Sequence, residues 1–511
     1  MFPKKTLSFT APELLAKLKT KSEASWIKRG ETQALKLFDE MGRRVPAYKD
    51  FLKKNHIKAD KIKTITDFRQ VPLTNKENYL LSYPIESLCW DGKFKGEKWI
   101  IASTSGSTGQ PYYFPRTRYQ DEQFMLTAEI CLTDFFGIDK KTTLFIDCFA
   151  LGVWIGGMFM YQAIKYIIDS DRYPLSMITP GADKTEAIKA IKNLAPKFDQ
   201  IIIGGYAPLV KDLIDIGKDQ GIKWNNYNVK YFFAAEGFTE GYRDYIIKNG
   251  GAKNVFTDSI NHYGTADLGT MSNETPLSIL LRRLAAGDET LAKTIFSQAH
   301  KQPTLTQYIP ELYYFEQVEN RVICSSAGGM PLVRYDLKDR GGVFTTKKII
   351  ELLKEKKIDL RTKIQQEEIG QLIWNLPFVY LFERDDLTAS IYSVNIYPQS
   401  IQKALEKTVL TKSLTGKFTM LVDYDKEQNQ FLQINIELKD GTRSSKILEK
   451  TVLDSIIDSL NRENSEWRDF YLDETIRHKV IPKLLFWQFQ DPLHFKSGSK
   501  QKWVKKLVKK I

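Results

Sequence analysis

Apolar residues recur at helical spacing over the first 70 residues, and from about residue 100 short apolar runs alternate with helical stretches. Thr10 and Glu13 form the signature of a capping box, and Leu14, Leu15 and Leu18 mark the inner face of the helix that follows. Further along, the pattern predicts helices and buried strands. The predicted helices are Lys184–Leu194 and Ala207–Ile216, and the strands are Thr142–Asp147, Gln200–Ile203, Val229–Ala234, Ser259–Tyr263 and Arg321–Ser325.

Several of these predicted strands end in small residues. Gly204 and Gly205 follow one strand, residues 234–237 follow the next, and Gly264 ends a third. Buried strands separated by helices are typical of a mainly parallel sheet. Ligands of such open α/β sheets bind at the carboxyl ends of the strands, so these turns are where we expect a site.

The pattern changes again after about residue 380. Residues 431–438 alternate cleanly between apolar and polar positions, and residues 418–422 are predicted to pair with them as an antiparallel strand. Residues 446–460 follow as an amphipathic helix. Together they indicate a small α+β unit of about 130 residues, which is a reasonable size for a separate domain.

Composition favours an ordinary globular protein, since 42% of the 511 residues are hydrophobic and 27% are charged. The most apolar segment, residues 144–161, contains Asp147 and three glycines, so it is interpreted as a strand and a helix and not as a membrane span. The opening residues lack an apolar signal core, which predicts a cytoplasmic protein. The cysteines are widely spaced, which argues against a zinc site or a disulfide framework: Cys89, Cys131, Cys148 and Cys324.

The formal net charge is +13, and its basic residues are scattered except at the C-terminus. Residues 500–511 interleave lysines with apolar residues at steps of three and four, which describes a basic amphipathic helix. A helix docked on its own domain is favoured over a membrane-surface anchor, because one short helix binds lipid weakly. No nucleic-acid partner is predicted.

The stretch STSGSTGQP, residues 103–111, is the most informative segment of the chain. Glycines let its backbone approach a ligand closely, while amide N–H groups and hydroxyls can surround an anion such as a nucleotide triphosphate. The lysine that ends a P-loop is missing here, since Gln110 and Pro111 follow Gly109. A hydroxyl-rich surface turn is the alternative interpretation of this segment alone.

Further landmarks follow this loop in a fixed order: AEG at 235–237, HYGTADLG at 262–269, PLVRYDLKDRG at 331–341 and ERDDLTASIYSVNIYP at 383–398. In this order they resemble the motifs of the adenylate-forming enzymes, and within that superfamily the phenylacetate–CoA ligase-like branch. The resemblance extends to residues 45–48, 72–76 and 151–157, so it spans nearly the whole chain. Two positions depart from the family pattern. Glu383 precedes Arg384 where the family usually has glycine, and Ser393 stands at the position of a hinge-region glycine.

The resemblance implies an α/β fold with two domains. The large N-terminal domain would span residues 1–380, with mainly parallel sheets flanked by helices and a helical segment at 1–75. A small mobile α+β domain would span residues 381–511 and carry a catalytic lysine. Lys500 is the best match to that lysine, although Lys496 and Lys502 lie close by and a solvated basic tail is the rival interpretation.

The resemblance also implies roles for individual residues. Tyr263 would stack on adenine, and Asp339 would accept hydrogen bonds from the ribose hydroxyls. Asp267, at a position where relatives often have glutamate, would contact Mg²⁺. The remaining residues implied in binding ATP or AMP are Thr104, Ser105, Gly106, Ser107, Thr108, Gly109, Glu236, Gly237, Gly264, Thr265 and Arg384. Trp154, Tyr206 and His262 are expected to line the acid pocket.

By this resemblance the protein would use ATP and Mg²⁺ to convert a carboxylic acid, aromatic or small, into an acyl-adenylate with release of pyrophosphate. The acyl group would then pass to a thiol, with CoA as the expected co-substrate. A phosphopantetheine carrier protein or an amine remains an alternative acceptor, and a homodimer is left open. Two further hypotheses are a non-catalytic nucleotide-binding module and a membrane-recruited interaction protein that uses residues 500–511.

Overall fold

The computed structural model describes residues 9–103, 112–152, 155–297, 302–384, 389–392 and 394–495. The chain divides into two compact units, residues 1–102 with 114–383 and residues 103–113 with 384–511. The boundary expected between residues 380 and 381 stays a prediction about the domains of the protein.

The regular elements are numbered along the chain. The α-helices of the described residues are α1 Ala11–Thr20, α2 Glu23–Arg44, α3 Pro46–Lys54, α4 Ile65–Phe68, α5 Ile85–Leu88, α6 Arg118–Asp134, α7 Ile155–Ile168, α8 Lys184–Leu194, α9 Ala207–Asp219, α10 Glu240–Asn249, α11 Pro276–Ala286, α12 Glu289–Phe296, α13 Thr346–Glu355, α14 Leu360–Gln366, α15 Pro398–Leu405, α16 Lys446–Glu463, α17 Ser465–Leu472 and α18 Arg477–Val480. The strands are β1 Ile100–Ser103, β2 Tyr113–Arg116, β3 Thr143–Asp147, β4 Leu175–Ile178, β5 Gln200–Gly205, β6 Val229–Phe233, β7 Ser259–Thr265, β8 Gly269–Asn273, β9 Thr304–Gln307, β10 Tyr314–Val318, β11 Arg321–Ser326, β12 Leu332–Phe344, β13 Phe378–Arg384, β14 Ala389–Ile391, β15 Val394–Ile396, β16 Leu414–Tyr424, β17 Gln430–Leu438 and β18 Lys483–Trp487.

An eleven-stranded sheet runs through the first unit in the order β10-β11-β12-β13-β9-β8-β7-β6-β5-β3-β4. The five strands at one end of this order, β7-β6-β5-β3-β4, are parallel, as the alternation of apolar runs and helices predicts. The strand predicted at Arg321–Ser325 is present as β11, but it pairs antiparallel with β10 and β12. Only residues 319–320 separate β10 from β11, and so short a connection can join only antiparallel strands.

The helices flanking the parallel strands begin where the sequence predicts. Asp183 caps α8, because its Oδ1 accepts hydrogen bonds from the backbone N–H groups of Thr185 and Glu186 at 2.9 and 3.0 Å. Helix α9 starts at Ala207 as expected and continues to Asp219. These helices pack against the sheet, and residues 201–203 of β5 are at most 1% exposed.

The N-terminal segment is helical as predicted. The backbone N–H of Thr10 donates to Glu13 Oε2 at 2.9 Å and completes the capping box of α1. Leu14 and Leu18 on its inner face are fully buried, whereas Leu15 is only partly buried. The side chain of Asn375 donates to the Lys19 carbonyl at 2.8 Å, so the end of α1 is fastened to the segment that precedes β13.

The most apolar stretch of the chain forms β3 and the first part of α7, as predicted. All residues of β3 are buried. Gly157 has no room for a side chain, because a Cβ there would lie 2.1 Å from the Ala150 carbonyl oxygen. In the part of the chain that the structure describes, no helix is both long and apolar enough to cross a membrane.

The second unit contains a three-stranded sheet in the order β16-β17-β18. The predicted antiparallel pairing of β16 with β17 is confirmed, with Met420 opposite Ile434 and Phe418 opposite Ile436. Helix α16 occupies the predicted position and buries Val452, among other residues, on its inner face. Strand β18, which the sequence analysis did not predict, pairs parallel with β17.

The four cysteines of the chain are all free and buried. Burial raises the pKa of the Cys89 thiol to about 12. Burial likewise raises the pKa of the Cys131, Cys148 and Cys324 thiols. The four thiols are thus not paired with one another in this structure.

Candidate functional site

Three predicted site segments follow neighbouring parallel strands of the first unit. Tyr206 comes directly after β5, residues 234–237 come after β6, and residues 262–265 form the end of β7. Because β5, β6 and β7 are parallel and adjacent, these segments lie at one edge of the sheet. Tyr206 is 4% exposed and precedes the first turn of α9. The turns at which the sequence analysis expects a site therefore lie together at this edge of the sheet.

The turn after β6 has a constrained backbone. Ala235 has a φ of 74°, a left-handed conformation that is uncommon for a residue with a side chain. A Cβ at Gly237 would lie 2.5 Å from Thr304 Oγ1, so glycine is required for this close approach. Asn261 Nδ2 donates to the carbonyl of Glu236 at 3.0 Å and thereby ties the turn to β7.

A buried ion network supports this part of β7. Glu274 is fully buried, and its carboxylate accepts hydrogen bonds from Arg243 Nη2 at 2.9 Å and from Arg282 Nη1 at 2.5 Å. The same carboxylate accepts the backbone N–H of Asn261 at 2.9 Å. Arg282 also donates to the carbonyl of Phe238. Since both ends of the turn are bound to this network, the network fixes the position of residues 236–238 relative to β7.

Tyr263 and Asp339, predicted to bind the adenine and the ribose, lie in contact. The Tyr263 hydroxyl donates to Asp339 Oδ2 at 2.5 Å, although the residues are 76 positions apart in the chain. Asp339 lies on β12 and is 8% exposed, whereas Tyr263 is half-buried. The Tyr263 ring is 6.4 Å from that of Phe315, measured between centroids. The aromatic ring of Tyr263 and the carboxylate of Asp339 thus lie side by side.

Asp267 makes a second contact of the same kind with β12. Its Oδ2 accepts a hydrogen bond from the Tyr335 hydroxyl at 2.5 Å. Thr265 Oγ1 accepts the backbone N–H of Leu268 at 3.3 Å, which closes the turn that carries Asp267. Gly264 lies in an irregular stretch of the β7–β8 pairing, and a Cβ there would approach the Gly269 carbonyl oxygen to 2.8 Å.

The donor set at Asp267 can be tested against Mg²⁺. Among the described residues, no group of three His, Cys, Asp or Glu side chains could hold a metal ion. Mg²⁺ in phosphate-transfer sites is bound by one or two carboxylates together with substrate phosphates and water. A single carboxylate at Asp267 therefore fits an ion that arrives with ATP, and it does not fit a resident metal.

Strand β12 is anchored by residues to which the sequence analysis gave no role. Arg334 donates through Nη1 to the carbonyls of Arg69 and Val71, and its Nε donates to Glu316 Oε2 at 3.2 Å. Thr74 Oγ1 donates to the Val333 carbonyl at 2.9 Å. The motif at 331–341 and the segment at 72–76 were both noted in the sequence, but only the fold shows that they pair.

His262 is buried against aromatic rings. Its ring centroid is 3.9 Å from that of Phe232 and 6.4 Å from that of Phe124. Nδ1 donates to the side-chain oxygen of Asn273 on β8. Burial lowers the pKa of His262 to about 4, opposed by the contact with Asn273, so the ring is neutral at pH 7 and Nε2 carries a lone pair.

This burial of His262 predicts a pH dependence of stability. Its pKa is about 4 in the folded chain, whereas the ordinary pKa of histidine is 6.5. As the pH falls below 6.5, the unfolded chain takes up a proton that the folded chain excludes, so the free energy of unfolding decreases. We expect a loss of about 2–3 kcal/mol by pH 4.5.

The measurement is chemical unfolding of the wild type and of His262→Asn at pH 7.5 and pH 4.5. Contributions from other titrating groups cancel in the comparison, and the stability of the variant should fall less with pH than that of the wild type. Equal pH dependence of the two proteins would contradict the neutral, buried state of His262.

Several predicted residues lie outside the described part of the chain. They are Thr104, Ser105, Gly106, Ser107, Thr108, Gly109, Trp154 and Lys500. Arg384 is the last residue of β13, and its side chain is not described. The roles expected for these residues stay predictions.

Comparison with solved structures finds this fold in 2-hydroxyisobutyryl-CoA ligase. Its structure in complex with 2-HIB-AMP and CoA in the thioesterification state has a TM-score of 0.65 and 14% identity, covering 98% of this chain and 94% of the ligase. The open conformation of that ligase with 2-HIB-AMP and CoA gives a TM-score of 0.54 and 13% identity, with coverages of 96% and 94%. Comparisons with protein-family models and with curated protein sequences give no match. The α/β fold expected from the adenylate-forming motifs is confirmed.

Proposed function

We propose that the protein is an adenylate-forming ligase that activates a carboxylic acid with ATP and transfers the acyl group to a thiol. The observation that carries this proposal is the pairing of Tyr263 with Asp339, beside the pairing of Asp267 with Tyr335. It supplies an aromatic face, a carboxylate for the ribose and a carboxylate for a phosphate-bound cation at the edge of the sheet where α/β folds bind ligands. The fold shared with a ligase solved with an acyl-adenylate supports it.

In the first step, a carboxylate oxygen of the acid attacks the α-phosphorus of ATP. The new O–P bond forms as the bond to the bridging oxygen breaks, and pyrophosphate leaves. Such a transfer depends on positioning and on neutralisation of charge more than on covalent help from the protein. Asp339 would hold the ribose through two hydrogen bonds, Tyr263 would stack on the adenine, and residues 104–109 would hold the β- and γ-phosphates.

The turn at 236–237 would lie against the nucleotide and the acid. Its attachment to the buried Glu274 network would hold it in place before a ligand binds. A group that is held in place before the reaction needs no reorganisation during it, which lowers the barrier. Glu236 and Gly237 would therefore act through their backbone, which is the part of the turn that the network fixes.

In the second step, the sulfur of a thiol attacks the acyl carbon of the adenylate. A C–S bond forms, AMP leaves, and the thiol proton passes to solvent. CoA is the expected thiol, since the ligase of like fold was solved with CoA bound. The phenylacetate–CoA ligase-like motifs point to an aromatic or small organic acid.

The proposal is tested by exchange of labelled pyrophosphate into ATP with the purified full-length chain, Mg²⁺ and a panel of carboxylic acids. We expect exchange that depends on the acid, and AMP release on addition of CoA. A holo carrier protein and simple amines, tested in place of CoA, identify the acceptor. Absence of exchange with every acid, under conditions where ATP still raises the melting temperature, would indicate nucleotide binding without adenylation and overturn the proposal.

A further inference from the structure

The aromatic cluster around His262 contains buried polar atoms without partners. His262 is 4% exposed, and its Nε2 has no hydrogen-bond partner among the described residues. The cluster continues from His262 to Phe124, whose ring stacks on Phe159 at 4.5 Å between centroids. The guanidinium of Arg116, 2% exposed, lies 4.4 Å from the centre of the Phe159 ring. Its Nε and Nη1 also lack a partner in the described part of the chain, although its Nη2 pairs with Asp121 at 3.2 Å.

An unpartnered acceptor in this position needs an explanation. Buried polar groups in folded proteins are nearly always hydrogen-bonded, and a buried acceptor left unpaired is destabilising. The rings that surround His262 belong to phenylalanines, which have no donor to offer. Since Nδ1 is already committed to Asn273, the ring is fixed with Nε2 as a neutral acceptor. No donor for Nε2 is found among the described residues, so this nitrogen is available to a donor on a bound molecule.

The position of the cluster relates it to the proposed site. His262 is the immediate neighbour of Tyr263, whose hydroxyl binds Asp339. Phe159 lies against the start of β8, where a Cβ on Gly269 would approach its ring to 3.2 Å. Mostly apolar walls with a few fixed polar groups are the usual composition of a site for a small organic molecule.

We propose, on the basis of the proposed function, that Nε2 of His262 accepts a hydrogen bond from the acid substrate, so that the protein selects carboxylic acids that carry an O–H or N–H donor on an apolar body. A hydroxy or amino acid substrate of this kind supplies the donor that Nε2 lacks. An analogue with a methyl group in the same place leaves Nε2 unpaired and is disfavoured. His262 is thus a specificity-determining residue.

The first experiment uses the wild-type protein and pairs of acids that differ only in a hydroxyl and a methyl group. The pairs are the three hydroxybenzoates against the three methylbenzoates, and 2-hydroxyisobutyrate against pivalate. We expect that the best substrate is a hydroxylated acid, favoured over its methyl partner by about 10- to 100-fold in kcat/KM for pyrophosphate release. Equal use of the two members of every pair would overturn the inference and leave the proposed function standing. No pyrophosphate release with any acid would overturn the proposed function, and the inference with it.

The second experiment assigns the preference to His262. In His262→Asn the amide nitrogen takes the place of Nδ1 and can still donate to Asn273, while the acceptor at Nε2 is removed. We expect the hydroxyl-to-methyl ratio of kcat/KM to fall to about 3 or less, because the hydroxyl no longer finds an acceptor. A purely structural defect would lower both acids equally and leave the ratio unchanged.

The matched control is His262→Gln, whose longer side chain places an amide near the position of Nε2. We expect this variant to keep part of the hydroxyl preference that His262→Asn loses. If His262→Asn retains the full wild-type ratio, a buried water or another residue holds the hydroxyl, and the assignment to His262 is wrong.

Discussion

Replacement of Lys500 with alanine is expected to slow acid-dependent exchange of pyrophosphate into ATP by about 100-fold or more. A lysine aimed at the charge that develops during adenylation stabilises the transition state by about 3 kcal/mol, comparable to one oxyanion-hole donor. The assignment comes from the match of SGSKQKWV, residues 497–504, to the final lysine motif of the adenylate-forming enzymes. The readout is the initial rate of exchange at saturating ATP and acid.

Lys496 and Lys502 provide matched controls, since each is a lysine of the same basic segment. Lys496→Ala and Lys502→Ala are expected to keep most of the exchange activity. If Lys500→Ala exchanges normally while one of the other two variants is inactive, the catalytic lysine is at that position. If all three exchange normally, the segment is a solvated basic tail.

Replacement of Asp339 with asparagine is expected to lower kcat/KM for ATP by about 10- to 100-fold. The carboxylate would accept hydrogen bonds from the ribose hydroxyls, and charge-assisted bonds of this kind contribute about 1.5–3 kcal/mol. The change keeps the volume of a side chain that is 8% exposed on β12. Steady-state kinetics with ATP and with 2′-deoxy-ATP give the readout, because a variant without the ribose contact should no longer distinguish the two nucleotides.

Tyr263→Phe separates this role from a structural one. It removes the hydrogen bond between Tyr263 and Asp339 but keeps the ring proposed to stack on adenine. We expect kcat/KM for ATP to fall by less than about 10-fold, with the preference for ATP over 2′-deoxy-ATP retained. If the two variants lose equal activity and Asp339→Asn still discriminates against 2′-deoxy-ATP, Asp339 serves to position Tyr263 and does not bind the ribose.

Local elements of this fold could be predicted where a local interaction decides them. The bounds of α8 follow from the cap at Asp183 and from the apolar periodicity behind it, and both are contained in a few consecutive residues. Strands β5 and β6 follow in the same way from short apolar runs. The antiparallel partners of β11 were missed, because an apolar run shows that a strand is buried but carries no information about the direction of its neighbours.

Strand β18 illustrates a second limit. Its sequence, KLLFW, is apolar after Lys483 and does not alternate with polar residues. The strand forms because it pairs directly with β17, although three helices separate the two strands in the chain. Pairing between segments so far apart in the chain is a property of the whole fold. The same holds for Arg334, which binds the carbonyls of residues 69 and 71, and for Tyr335, which binds Asp267.

The candidate site also has features that the sequence predicts and features that depend on the packing of the whole fold. The motifs predict that Tyr263, Asp267, Asp339 and His262 belong to one site, and the fold brings Tyr263 into contact with Asp339. The sequence did not reveal that His262 is neutral with one ring nitrogen unpartnered, because that state depends on burial by Phe124 and Phe232 and on the contact with Asn273. Burial of this kind is set by packing between elements and leaves no local pattern.

The burial of the four cysteines limits how the acyl group of the proposed reaction could be transferred. All of them are enclosed in the interior, and burial keeps each sulfur protonated at physiological pH. A protonated, inaccessible sulfur is a poor nucleophile and cannot hold an acyl group as a covalent intermediate. In the proposed reaction an accepting thiol would therefore enter as a separate molecule and leave with the product, and the polypeptide would end each turnover chemically unaltered.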